Sequence, residues 1–391
     1  MLLDIAIIII ILLLGINPKL FFNNLEKEDT RVFMWLWLYH IGICVFFYFY
    51  ILQNGGDALT YWNEPKLNNQ VGFYEYWSLG LGTNFMFALN YFPSKILGLD
   101  FLTGSLLYAY LGFLGFILFY KIFKERILYN SRFFKINLFP ALFFLPNLHF
   151  WSSGVGKDTL LFFCIALFFY GMQFPKKNLI KLIIALTLAY FIRPHIAAFL
   201  IAAFGMGYII DGQLKVYAKL IFMVILIGAF VAFFDTLMLY LRIEDLSAET
   251  LSTYSEDRIS KLSRDHTGTG VDISGYPYPL KVFTFLYRPL FFDINGILAI
   301  LASIENLILL LLTAKFITKN PFKMFFKGDY FFKSSLLFFL MGALTFSLIL
   351  GNLGIMLRQK NMFIPALLFI CLWSFSNHIE LKIQNQEKSI I

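Results

Sequence analysis

Residues 33–53, FMWLWLYHIGICVFFYFYILQ, contain no aspartate, glutamate, lysine or arginine. A helix of about 20 apolar residues is long enough to cross the hydrocarbon core of a bilayer. We predict that such runs recur about eleven times, at 2–16, 33–53, 102–120, 137–151, 159–174, 179–192, 196–210, 217–241, 292–314, 334–350 and 362–376. The sequence therefore predicts an all-α fold, a polytopic transmembrane helical bundle of about eleven spans, with residues 1–391 forming a single integral membrane domain.

The composition excludes an ordinary soluble domain. Charged residues make up 14% of the 391 residues and the mean hydropathy is +0.72, whereas soluble domains carry about 25% charged residues. A chain this apolar lacks the polar surface that a water-exposed core would need. The stretch Met1–Gly15 has no basic residue and contains Asp4, so we predict a retained membrane helix and not a cleaved signal peptide.

The basic residues indicate an orientation. The net charge is +8, and 20 of the 32 lysines and arginines lie in alternate, mostly short gaps between apolar runs and in the carboxyl-terminal tail. Short cytoplasmic loops are enriched in lysine and arginine. We therefore predict an outside amino terminus and an inside carboxyl terminus, and we attribute the basic charge to topology and not to nucleic acid.

Two longer segments fall on the predicted external side, at about 54–101 and 242–290. In the first, an aromatic stretch from Tyr74 to Phe92 is amphipathic, which predicts a short helix lying along the membrane surface. The second is polar to about Ser274 and has a Thr267-Gly268-Thr269-Gly270 tip, which predicts a loop.

Asp57 is the first candidate for chemistry, because it follows Gly55-Gly56 directly after the second apolar run. A carboxylate at the membrane edge can act as a general base or bind a metal. It can equally cap a turn at the end of a helix.

The most specific string is PNLHFWSSGVGKD at 146–158, a polar turn between two apolar runs. Lys157 and Asp158 would begin the next helix, where backbone N–H groups favour anions. The first glycine of a P-loop is missing, because Trp151 occupies that position. An ordinary capped helical hairpin is the alternative.

Further ionisable residues lie in the later turns and spans. Arg193-Pro194-His195 joins two apolar runs, and the Arg193 guanidinium could bind phosphate; a snorkelling arginine is the alternative. Arg288-Pro289 precedes a run that contains Glu305. A glutamate within a membrane run needs a partner or a cavity, and a structural ion pair with a neighbouring helix would satisfy it.

The last predicted external turn contains Arg358, Gln359 and Lys360 after Asn352. These residues could grip a pyrophosphate, or they could be a topological cluster. The lone His266 in the long loop is interpreted as a solvated residue.

Taken together, these residues resemble the C-type superfamily of membrane glycosyltransferases, which use polyprenyl-phosphate sugars, and the related polymerases of O-antigen and exopolysaccharide assembly. Asp57 is similar in position to the acidic residue of the first external loop in that superfamily, and Asp158 to the acid of the next external turn. The basic turns at Arg193, Arg288 and Arg358 are similar to those of bacterial glycan polymerases. The resemblance covers about residues 32–200, and it departs from the superfamily in having a single acid at Asp57.

The resemblance implies an enzyme that transfers sugar from a polyprenyl-(di)phosphate donor at the external face of a bacterial-type plasma (inner) membrane. Asp57 and Asp158 would be catalytic, and the aromatic rings would stack on sugar. The implied phosphate- or substrate-binding residues are Lys157, Arg193, His195, Arg288, Arg358 and Lys360, and the implied sugar-stacking residues are Tyr61, Trp62 and Trp151. A divalent metal is left open as cofactor, and membrane lipid, the lipid-linked glycan and other envelope-glycan assembly proteins are the expected partners.

Two other classes of protein remain open. A transporter or flippase of a lipid-linked glycan would use mid-membrane ionisable residues, of which Glu305 is the main candidate, and would show internal repeats. A non-catalytic assembly protein would make the external cluster incidental.

Overall fold

The computed structural model describes residues 1–17, 25–133, 135–211, 269–294 and 296–390, together with Ile259 and positions 215–217, 219–221, 223–224 and 227–228. The predicted run at 217–241 lies mostly outside the described residues. His266, and the part of the 242–290 loop before residue 269 apart from Ile259, also lie outside them.

The described chain is all-α apart from one short hairpin, so the predicted fold class is confirmed at that level. To residue 211 the helices are α1 (Leu2–Ile16), α2 (Lys27–Asn54), α3 (Asp57–Leu67), α4 (Phe73–Ser78), α5 (Thr83–Asn90), α6 (Phe101–Arg126), α7 (Leu138–Ala141), α8 (Pro146–Phe150), α9 (Lys157–Gln173), α10 (Leu179–Ile192) and α11 (Pro194–Asp211). From residue 278 they are α12 (Tyr278–Tyr287), α13 (Ile297–Ile317), α14 (Pro321–Lys327), α15 (Tyr330–Ile349), α16 (Leu353–Lys360) and α17 (Ile364–Ile390). The hairpin pairs β1 (Arg132–Phe133) with β2 (Ile136–Asn137) in antiparallel register.

Six helices among the described residues are long and apolar enough to cross a membrane, which makes this a multi-pass membrane protein. They are α2, α6, α11, α13, α15 and the Ile364–Glu387 part of α17. The apolar helices α1 and α10 are shorter, with 15 and 14 residues. The count of eleven spans is not confirmed and stays a prediction.

The predicted run at 137–151 is not one helix. It is divided into β2, α7, a 3-10 turn at Leu142–Phe144, and α8. Pro140 and Pro146 lie within it, and a proline interrupts a continuous helix because it lacks a backbone N–H and clashes with the preceding turn. This segment is therefore too broken to be a straight span.

The two predicted external segments contain more helix than expected. The Tyr74–Phe92 stretch lies in α4, α5 and a π-helix at Tyr91–Ile96, and Gly80 and Gly82, which have positive φ, separate α4 from α5. In the second segment, α12 begins with Pro277 as its N-cap and Pro279 in its first turn, positions where proline fits a helix. The predicted loop at 242–290 therefore ends in a helix.

The chain forms two compact units. The first contains Met1–Ile122 and Pro140–Pro194, and the second contains Phe123–Phe139 and His195–Ile391. The core of the first unit is aromatic and includes Trp37, which packs 4.8 Å from Phe113, and Phe116, which packs 4.8 Å from Phe162. In the second unit Phe331 packs 5.2 Å from the ring of Phe369.

Candidate functional site

The turn between α8 and α9 in the first unit presents Lys157. Its shape depends on close packing: a Cβ added to Gly154 would lie 2.0 Å from the ring of Phe47. The hydroxyl of Thr159 donates to the carbonyl of Gly154 at 2.6 Å, which ties the turn to the first turn of α9. Lys157 is the first residue of that helix.

Lys157 contacts two other helices of the same unit. Its Nζ donates to Oγ1 of Thr83 at 2.9 Å and lies 5.4 Å from the ring centre of Tyr61. Asp57 precedes Tyr61 by four residues on α3 and is exposed. Because residues i and i+4 share a helix face, the ammonium lies over the face of α3 that carries the Asp57 carboxylate.

Three helices begin around this ammonium. The first residues of α3, α5 and α9 are Asp57, Thr83 and Lys157; each follows a glycine, and none of these helices has a side-chain hydrogen bond at its N-cap. The first N–H groups of a helix lack intrahelical partners and favour anions. The site thus combines a positively charged ammonium with the N-terminal ends of helices, which also favour anions.

Asp158 and Arg193 form an ion pair beside this turn. Arg193 NH2 lies 3.0 Å from Oδ1 of Asp158, and the two side chains are 9% and 5% exposed. The pair joins the start of α9 to the junction of α10 and α11. Arg193 is therefore held in place by a carboxylate, and Asp158 contacts Arg193 through an oxygen that a metal or substrate would otherwise use.

The aromatic residues predicted to stack on sugar are placed differently from one another. Tyr61 and Trp62 are 5% and 1% exposed, and Nε1 of Trp62 donates to the carbonyl of Leu99 at 3.2 Å. Two buried rings cannot offer a face to a sugar in this arrangement. Trp151 is partly exposed, so part of its ring is open to a sugar.

An aromatic surface that the sequence did not single out for sugar lies on α4. Phe73, Tyr74 and Trp77, called here the aromatic ridge, are exposed, and Trp77 is 48% exposed. The Trp77 ring lies 5.2 Å from Phe191, two residues before Arg193. The sequence signal was present in the FYEYW string, which was interpreted only as an amphipathic surface helix.

In the second unit, Lys360 is 1% exposed and joins three segments. Its Nζ donates to the carbonyls of Leu286 and Arg288, at 3.1 and 3.3 Å, and to Oδ1 of Asn306. Burial lowers the pKa of Lys360, and the carboxylate of Glu305 opposes that shift. These bonds use the three N–H groups of the ammonium, so Lys360 joins helices here and has no N–H left for a phosphate.

Glu305 and Arg288 are also engaged within the second unit. Glu305 is buried, and its charge acts on Lys360 of the same unit. Arg288 donates through Nε to Oδ2 of Asp293 at 3.0 Å and through NH2 to Oδ1 of the same carboxylate. A bidentate arginine–carboxylate pair satisfies the fork of Arg288.

His195 and Arg358 belong to the second unit as well. His195 is half-buried, with its ring 5.7 Å from that of Phe346. Arg358 lies in the last turn of α16 and is partly exposed. Among the predicted residues, contacts thus join Lys157 with Tyr61 and Asp158 with Arg193.

Metal ligands do not cluster in the part of the chain that the structure describes: no three His, Cys, Asp or Glu side chains come together there in a way that could hold a metal ion. Comparison with protein-family models, with curated proteins and with solved structures gives no match for this chain. The candidate site is therefore interpreted from its own geometry.

Proposed function

We propose that this protein is a membrane-embedded glycosyltransferase or polysaccharide polymerase that uses a polyprenyl-(di)phosphate-linked sugar at the external face of a plasma membrane. The observation that carries the proposal is the position of Lys157, whose ammonium lies among three helix starts, 2.9 Å from Oγ1 of Thr83 and over the face of α3 that carries Asp57. Cations and helix starts bind phosphate, and a nearby carboxylate can remove the proton from a sugar hydroxyl.

In this proposal each residue of the first unit has one role. Lys157 binds the donor phosphate and stabilises the negative charge that develops on it as the sugar leaves. Asp57 accepts the proton of the acceptor hydroxyl, and Arg193 adds a second cation. Asp158 is a positioning residue, because its carboxylate holds the Arg193 guanidinium.

The sugar would contact the aromatic ridge and not the buried Trp62. Trp77 is half-exposed, and its ring packs against Phe191 near Arg193. A ring held by neighbours loses little freedom when a ligand stacks on it, which makes tryptophan and tyrosine effective contact residues. A sugar attached to a phosphate at Lys157 would extend towards this ridge.

The test is a glycan-production assay in a strain that depends on this protein, with Lys157→Gln and Asp57→Asn compared with Lys66→Gln. Lys66 is an exposed lysine of the same helix as Asp57, so its change controls for loss of one surface charge. We expect product to fall about 100-fold or more in the first two variants, the cost of losing one preorganised transition-state contact. Full product with Lys157→Gln at equal expression would contradict the proposal.

The second unit favours a second candidate function. Glu305 and Lys360 are buried ionisable residues of the kind that membrane transporters carry within the bilayer, so a flippase of the same lipid-linked glycan is the alternative. The two functions differ in where donor accumulates. A transferase variant leaves lipid-linked donor in the outer leaflet, whereas a flippase variant leaves it in the inner leaflet.

A further inference from the structure

Two histidines that have no role in the proposed function meet in the core of the first unit. His40 lies in the middle of α2 and His149 lies in α8, and both side chains are fully buried. Their Nδ1 atoms are 2.7 Å apart. A nitrogen–nitrogen distance this short requires a hydrogen atom between them.

The other ring nitrogen of each histidine faces a backbone carbonyl. Nε2 of His40 donates to the carbonyl of Ala109 at 3.0 Å. Nε2 of His149 donates to the carbonyl of Phe143 at 2.7 Å. A carbonyl oxygen can only accept, so both Nε2 atoms carry hydrogen.

A neutral imidazole has one N–H, and its second nitrogen is an acceptor. With hydrogen on both Nε2 atoms, two neutral rings would point two lone pairs at each other across 2.7 Å. We infer that His40 and His149 share one additional proton between their Nδ1 atoms, so that the pair is a binding site for a single proton and carries one positive charge.

Burial opposes a positive charge on the pair, but a neighbouring aromatic ring favours it. The His149 ring is stacked on Phe116, with centroids 4.1 Å apart and planes at 10°, and an aromatic face attracts a cation. Two titratable side chains of α2 lie beside the pair: Tyr39 is edge-on to His149, with ring centroids 4.7 Å apart, and Cys44 is one turn after His40. Among the described residues, no carboxylate forms a hydrogen bond with either imidazole ring.

A metal ion does not fit between the two Nδ1 atoms. Zinc binds histidine nitrogen at about 2.0–2.1 Å, so two nitrogens on one tetrahedral ion would be about 3.3 Å apart. The observed separation is 2.7 Å.

The shared proton also has a structural consequence, because the hydrogen bond between His40 and His149 fixes α8 against α2 immediately before the turn that carries Lys157.

The test is solid-state NMR of the full chain in lipid nanodiscs with 15N-labelled histidine. At neutral pH we expect one ring with both nitrogens protonated and a nitrogen–nitrogen coupling across the shared proton. That signal should disappear in His40→Gln and in His149→Gln and persist in His378→Gln, which removes a partly exposed histidine of α17. The wild-type spectrum decides the question even where a variant fails to fold.

A metal analysis of the purified protein provides the second measurement. Two neutral rings at neutral pH, or one stoichiometric metal ion in the purified protein, would overturn the inference. Neither result depends on the proposed function.

Discussion

The Asp158–Arg193 pair shows how one contact changes the interpretation of two residues. Both are predicted from sequence to contact substrate, and in the structure each also contacts the other, with 5% of the Asp158 side chain and 9% of the Arg193 side chain exposed. Removing one member of a buried pair leaves an uncompensated charge, which costs about 3–5 kcal/mol, whereas replacing both members together can be nearly neutral.

We therefore expect Asp158→Asn and Arg193→Met each to lower the thermal stability of the purified protein markedly, and the double variant to recover most of the loss. Thermal unfolding in detergent measures this. Glycan production should remain low in the double variant, because Arg193 is absent from the site. A double variant as unstable as the sum of the two single variants would show that the residues act independently.

Trp62 and Trp77 allow a second prediction at the residue scale. Trp62 is buried and donates to the carbonyl of Leu99, whereas Trp77 is half-exposed. Trp62→Ala should cost about 3–5 kcal/mol of stability, as other buried tryptophans do. Trp77→Ala should leave the Tm almost unchanged and shorten or reduce the glycan product.

The measurements are thermal unfolding and product length, with Trp35→Ala as the control. Trp35 is an exposed tryptophan on α2, at 58% exposure, and it is not part of the aromatic ridge. An equal loss of product in Trp35→Ala and Trp77→Ala would indicate a general effect of exposed tryptophans on membrane insertion and would argue against a sugar contact.

At the scale of elements, α6 and the turn before α9 approach each other at Gly112. A Cβ at this position would lie 1.9 Å from the carbonyl oxygen of Ser152 and 3.2 Å from Nε2 of His40. A backbone carbonyl cannot move aside cheaply, so a side chain here must displace the turn that leads to Lys157.

We therefore expect Gly112→Ala to destabilise the protein and to reduce product even though it touches no residue of the candidate site. Gly42→Ala is the matched control, because Gly42 is a helical glycine with nothing within 4 Å of the added Cβ. Alanine at an open helical position is favoured over glycine by about 0.5–1 kcal/mol. Gly112→Ala should thus lower both the unfolding temperature and the product yield. Gly42→Ala should raise the unfolding temperature slightly and leave the yield unchanged.

Helices are predicted best from the sequence where a single property, the hydropathy of the segment, determines them. Nine of the eleven predicted apolar runs correspond to a continuous described helix, because hydropathy over a long window is a local property. The run at 137–151 was misjudged because hydropathy did not register the effect of Pro140 and Pro146. The aromatic segment after Tyr74 was predicted to be helical, but its division at Gly80 and Gly82 was not.

At the scale of the whole molecule, the class of protein follows from composition and the site does not. Nζ of Lys157 meets Thr83, 74 residues away in the chain, and His40 meets His149 across 109 residues. Such pairings depend on how helices pack and leave no local pattern in a single sequence. The candidate residues could be chosen by type and position, whereas their partners could be found only from the fold.

The orientation in the membrane is the remaining prediction at this scale, and cysteine labelling tests it. The three native cysteines, Cys44, Cys164 and Cys371, are all buried, so the unmodified protein should react little with a membrane-impermeant maleimide. Asn69 and Lys323 are exposed positions on opposite predicted sides. Since short cytoplasmic loops collect lysine and arginine, Asn69→Cys should label in intact cells.

Lys323→Cys, which lies in the lysine-rich segment around α14, should label only after the membrane is permeabilised. The same two variants labelled in detergent control for side-chain reactivity, because both sites are then open to the reagent. The reverse pattern in intact cells would place Asn69 in the cytoplasm. Asp57 and Lys157 would then face the cytoplasm as well, and an external transferase site built on them would be wrong.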